Sequence, residues 1–235
     1  MRRFLKFFAR LSALLLGLSL CISPLRGFAA YNFEYEQTVG NPLKGFMPFY
    51  SPDGADDSVP YSMEWFYIPL SALISDSGEY TVREGLEPYL EAISARGNQA
   101  VFRVYLDYPG SDIGEKAVPR FIWDMGIKKE RYDEYGGGFC PDYSDGRLID
   151  ILCDFVRELA REYDGDRRIA YITTGLLSHW GEWHVCLPEL EATNEQKAKI
   201  ISAFAQSFKV TRILTRYPGT PGTTRRGNVG FHDDS

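Results

Sequence analysis

Short apolar and aromatic runs alternate along this sequence with longer stretches of helical periodicity, and a parallel sheet covered by helices accommodates that alternation best. The clearest strand is 100–106 (AVFRVYL), β-branched and aromatic, ending at Asp107-Tyr108-Pro109-Gly110. Further strands are expected at 46–50, 64–70, 169–174, 211–214 and 229–231. Between them, 83–96 sets Leu86, Tyr89, Leu90 and Ile93 at helical spacing, with Gly97 as the stop. The segment 147–163 places Leu148, Ile151, Leu152, Phe155, Val156 and Leu159 on one face, closed by Asp164-Gly165. Asn194 is expected to cap a helix through 209, with Ala198, Ile201, Ala205 and Phe208 as its stripe.

Two architectures compete for this pattern, a doubly wound sheet and a (β/α)8 barrel. The first would favour a Gly-rich phosphate turn directly after the first strand; none is present, and Gly136-Gly137-Gly138 is read as part of a long loop with no strand before it. The expectation is therefore an α/β, (β/α)8 TIM-barrel-like fold. Such a barrel needs eight strands over typically about 250 residues. Six candidates are visible before the chain reaches Asp233-Asp234-Ser235, so the barrel at 31–235 is read as partial, truncated after about strand six.

Residues 1–30 read as a signal peptide: a basic start, a mostly apolar run at 11–22, and small residues at Gly27-Phe28-Ala29-Ala30. The apolar run falls short of the roughly 20 residues that span a bilayer. A secreted or extracytoplasmic protein without stable membrane insertion after cleavage is expected, an uncleaved anchor being less favoured. Cys21 follows Leu20, where a lipoprotein would carry a small residue. Loss of Arg2, Arg3, Lys6, Arg10 and Arg26 would take the balance from 26 basic and 32 acidic residues to 21 against 32, or −11. A body this acidic repels a phosphate backbone, so no nucleic-acid partner is expected. Cys140, Cys153 and Cys186 would then remain, an odd number with no CxxC pair, best read as buried small hydrophobes.

In barrels of this kind, ligands are handled at the C-terminal ends of strands and in the loops that follow. The expected ends carry Asp107 and Tyr108; Ser178, His179, Trp180, Glu182, Trp183 and His184; Arg216 and Tyr217; and His232, Asp233 and Asp234. Aromatic platforms beside carboxylates suit a sugar, whose C–H faces lie on rings while carboxylates address its hydroxyls and glycosidic oxygen. Glycoside cleavage needs one carboxylic acid at the leaving oxygen and a second carboxylate as nucleophile or base. Glu182 is the candidate acid, because flanking Trp180 and Trp183 would desolvate it. Asp233 is the candidate partner, unless that group lies beyond this chain. Asp107, Tyr108, His179, Trp180, Trp183, His184, Arg103, Arg216 and His232 are the candidate substrate-binding residues. The bland readings are a core plug for the two tryptophans, structural ion pairs for the two arginines, and a turn cap for Asp107. His179, Glu182, His184, His232 and Asp233 include zinc and manganese ligand types, but structural histidines are the favoured reading. Neither a metal nor a cofactor is expected.

Four stretches carry a family resemblance: Asn41-Pro42-Leu43-Lys44-Gly45-Phe46, Phe102 through Pro109, Gly175 through His184, and Gly230 through Ser235. Together they resemble a secreted bacterial family of paired domains of unknown function, whose TIM-barrel-like body is distantly similar to retaining glycoside hydrolases. The string His179-Trp180-Gly181-Glu182-Trp183-His184 is the most specific part. The resemblance implies a carbohydrate-related role, an oligosaccharide or polysaccharide partner, and an acid/base glutamate following strand four, usually after Asn; here Gly181 stands in that place. It also implies a nucleophilic glutamate after strand seven, and often a further β-rich domain, neither of which this chain reaches. The alternatives are a non-catalytic carbohydrate-binding or surface scaffold protein and a metal-dependent hydrolase.

Overall fold

The computed structural model describes residue 43 and residues 45–55, 60–219 and 228–232. The expected leader, Asp233 and Asp234 lie outside the described residues. Elements follow in the order β1 (Met63–Pro69), α1 (Val82–Ala95), β2 (Gln99–Tyr105), α2 (Arg120–Asp124), β3 (Lys129–Tyr132), β4 (Gly138–Pro141), α3 (Gly146–Tyr163), β5 (Ile169–Thr173), α4 (Asn194–Ser207), β6 (Arg212–Thr215) and β7 (Val229–Phe231).

Strands β1, β2, β5, β6 and β7 form one sheet in that order, and every pairing is parallel. Ahead of β1, Phe46 and Phe49 bridge Tyr61 and Trp65, also in parallel, so the expected first strand is present as a bridged segment. Strand order thus follows chain order without reversal. A doubly wound sheet reverses its order at a switch point, whereas a barrel steps round in one direction.

The two faces of the sheet confirm that sense. Phe66, Ile68, Phe102, Val104, Ile172 and Ile213 pack outward against helical residues such as Leu86, Leu90, Leu152, Phe155, Ile201 and Phe204 in one continuous core. On the inner face, Met63, Trp65, Val101 and Ala170 meet Tyr67 and Tyr171 in a separate cluster. Period-2 alternation along β1 therefore sends Trp65 and Tyr67 inward and Phe66 and Ile68 toward the helices. An inner cleft of about 330 Å3 is lined by Met47, Phe49, Trp65, Tyr67, Leu214 and His232, among others.

Helix α4 departs from expectation in two respects. Its cap is Thr193, whose hydroxyl accepts from Gln196 N–H while the Gln196 side chain takes the Thr193 N–H, a capping box. Its buried stripe is Ile200, Ile201, Ala203 and Phe204, with Phe208 at the C-terminal end, leaving Ala198 and Ala205 half-buried. The Gly136-Gly137-Gly138 loop is corrected as well: it closes an antiparallel hairpin of β3 and β4, so a strand does precede it. Among the described residues no helix is long and apolar enough to cross a membrane.

Candidate functional site

Counting the bridged segment at 46–50 as the first, β5 is the fourth parallel strand, and the loop after it carries Glu182. That loop coils back on itself. Gly175, Leu176, Ser178, Trp180, Gly181 and Trp183 all have φ between 46° and 71°. A left-handed conformation costs a residue with a Cβ roughly 1–2 kcal/mol, so four such residues persist only where the surroundings over-determine them.

Those surroundings are specific. Leu176 N–H donates to the Val104 carbonyl at 2.8 Å, and Trp180 N–H donates to the Asp107 carbonyl at 2.8 Å, tying the loop to the end of β2. A Cβ on Gly175 would lie 2.4 Å from the Val104 oxygen; one on Gly181 would lie 3.1 Å from Cδ of Arg103. The close approach of Arg103 gives a local reason for glycine at 181.

Glu182 N–H donates to the His179 carbonyl at 2.8 Å, which turns the side chain toward three cationic or cation-forming groups. Oε1 lies 3.3 Å from Nη1 of Arg103; Oε2 lies 2.5 Å from Nη1 of Arg216 and 3.3 Å from Nε2 of His184. Its side chain keeps 15% exposure, so the carboxylate is reachable. Arg103, from the inner face of β2, is itself buried: Nε donates to Thr173 Oγ1, Nη1 lies 3.4 Å from the Tyr67 hydroxyl, Nη2 lies 3.4 Å from His232 Nε2, and the guanidinium covers Trp65 and Tyr67.

The two tryptophans part company. Trp183 is buried in the outer core, its indole N–H donating to the Gly175 carbonyl at 2.8 Å. Trp180 is half-buried at the rim, against Tyr108, Tyr135 and His184. The paired indole cage expected around Glu182 is therefore absent, because the left-handed residues on either side of Glu182 send the rings different ways, and arginines take its place.

Asp107 and His179 also lie behind the rim, fully enclosed. His179 Nδ1 is 2.6 Å from Asp107 Oδ2, and the Tyr132 hydroxyl donates to Asp107 Oδ1 at 2.6 Å. Burial and this bond to Asp107 push the Tyr132 phenol far up. The structure thus gathers Arg103, Tyr108, Trp180, Glu182, His184, Arg216 and His232 around one rim, with Asp107 and His179 beneath. Tyr67, Thr173, Tyr132 and Tyr135 join them without having been anticipated; the glycine triplet after Tyr135 was the available signal. Among the described residues, no group of three His, Cys, Asp or Glu side chains is arranged to hold a metal ion.

No protein-family model matches this chain, and no curated protein matches it in sequence. Among solved structures, it superimposes on endo-glycoceramidase II from Rhodococcus sp. in complex with a cellobiose-like isofagomine, at TM-score 0.50 and 12% identity, covering 73% of this chain and 48% of that one. The same enzyme in complex with a five-membered iminocyclitol gives TM-score 0.50 and 12% identity, over 73% and 47%. The chain shares the (β/α)-barrel fold of this glycoside hydrolase. It spans about half the length of the structures it matches.

Proposed function

We propose that this chain is an exported carbohydrate-active protein of glycoside-hydrolase type, in which Glu182 transfers the proton at the glycosidic oxygen. One observation carries the reading: a partly exposed carboxylate on the loop after the fourth parallel strand, beside an aromatic rim at the catalytic end of a barrel. Trp180 and Tyr108 would seat the sugar, and Arg103, Arg216 and His184 would orient Glu182 and the hydroxyls. As the C–O bond breaks, the Glu182 proton passes to the leaving oxygen while a second carboxylate attacks the anomeric carbon or activates water. Asp107 is committed to Tyr132 and His179, which leaves Asp233 as the candidate for that second group.

Hydrolysis of aryl glycosides and oligosaccharides by the full-length protein, wild type against Glu182→Gln, tests the assignment. A loss of about 100-fold or more is expected of a general acid. A loss of only a few-fold removes the role.

A second reading, binding without cleavage, is favoured by the two guanidinium groups on Glu182, which hold it as an acceptor. It predicts glycan binding by the full-length protein with no release of reducing ends.

A further inference from the structure

We propose that Tyr135 and Trp180 together form a sugar-stacking subsite beside Glu182, presented by the glycine-rich β3–β4 hairpin. This rests on the carbohydrate reading above and adds a residue to it. Tyr135 sits at the hairpin tip with φ 55° and 58% of its surface exposed. A bulky aromatic in the left-handed region, with its ring in water, is unfavourable on both counts. The hairpin is nevertheless built to hold it there.

Gly110 N–H donates to the Gly137 carbonyl at 2.8 Å, docking the tip against the loop after β2. A Cβ on Gly136 would stand 3.0 Å from Gly110 Cα; one on Gly138 would stand 2.3 Å from the Tyr132 hydroxyl oxygen and 3.0 Å from Asp107 Oδ1. The glycine triplet is thus what lets the hairpin close on the Asp107–Tyr132 pair. The Tyr135 ring consequently meets Trp180 at 5.5 Å between centroids and His184 at 6.3 Å. His184 leads on to the Glu182 carboxylate, 3.3 Å from its Nε2.

Tyr135 and Trp180 are inclined at 66° rather than stacked, and the high exposure of Tyr135 leaves ring surface open to a guest. A pyranose suits that wedge, since its C–H face needs an apolar platform and its hydroxyls need the His184 and Glu182 side. A quaternary ammonium, the other guest aromatic rims hold, would approach the guanidinium groups of Arg103 and Arg216.

The test is a neutral-oligosaccharide array probed with the full-length protein, followed by calorimetric titration of the tightest glycan against wild type, Tyr135→Ala and Tyr135→Trp. Tyr135→Ala is expected to weaken binding about five- to tenfold, the worth of one aromatic platform, and Tyr135→Trp to stay within about twofold of wild type. Glycan binding by wild type that Tyr135→Ala leaves unchanged overturns this inference alone. Failure of every neutral glycan to bind, or binding of choline chloride at the rim instead, overturns it together with the carbohydrate reading.

Discussion

The ring of His179 is held at both nitrogens: Nδ1 lies 2.6 Å from Asp107 Oδ2, and Nε2 accepts the Cys186 N–H at 2.9 Å. An accepting Nε2 places the proton of the neutral ring on Nδ1, facing the carboxylate. The pair therefore works as a clamp. It joins the end of β2 to both limbs of the strained loop, and it fixes the peptide from which Glu182 projects.

His179→Ala would leave both a buried carboxylate oxygen and the Cys186 N–H without a partner, together about 2–6 kcal/mol. Tyr132→Phe removes one donor from the same carboxylate and should cost less, about 1–3 kcal/mol. Urea unfolding of the two variants would reveal the order; negligible losses in both would show the clamp to be unimportant, and a larger loss in Tyr132→Phe would contradict the ranking.

At the opposite end of the barrel, Glu64 is fully buried and accepts from Arg96 at 2.9 and 2.5 Å and from Asn98 at 2.9 Å. This is the end where barrels invest in stability rather than chemistry. Arg96→Met is expected to lose about 3–5 kcal/mol in denaturant titrations while the folded fraction binds glycan as wild type does. A selective loss of binding would contradict that division.

Gly181→Asn places a side chain where the loop runs against Arg103. Asn tolerates the left-handed region, but its Cβ would press on Arg103 Cδ and on Gly175 Cα, 3.0 Å away. Arg103 would have to yield by a few tenths of an ångström, which loosens its 3.3 Å contact with Glu182. The expected outcome is a lower melting temperature with impaired glycan binding; a variant more stable than wild type would refute the crowding argument.

Acid should unfold the protein through particular carboxylates. Hydrogen bonds from Arg168 hold Glu87 below its ordinary range; burial pushes Asp164 up, but N–H groups of Thr211, Lys209 and Val210 outweigh it and leave it lowered. Folded values below the unfolded ones mean stability that is present above about pH 4 and lost as pH falls through the folded values. Asp164→Asn should therefore reduce the urea midpoint more at pH 7 than at pH 3. An equal reduction at both would exclude the charged form as the cause.

The strands and long helices were legible because each buries one side at its own period: AVFRVYL and the 147–163 stripe could hardly be read otherwise. β3 escaped notice for the opposite reason, since Lys129-Glu130-Arg131-Tyr132 is short, charged and largely exposed. At the site, the residue types were readable and their directions were not. Trp180 and Trp183 look equivalent in sequence, yet left-handed backbone at 180, 181 and 183 breaks any simple alternation and sends one ring out and the other in. Tyr135 was hidden because its partner across the rim comes from a distant loop, brought near only when three glycines close the hairpin.

Where a bound sugar meets Glu182 would be shown directly by a crystal structure of the protein with an oligosaccharide. The glycosidic oxygen is expected within about 3 Å of a Glu182 oxygen, with a sugar ring against Trp180. A glycan seated elsewhere, with Glu182 still closed between Arg103 and Arg216, would contradict it.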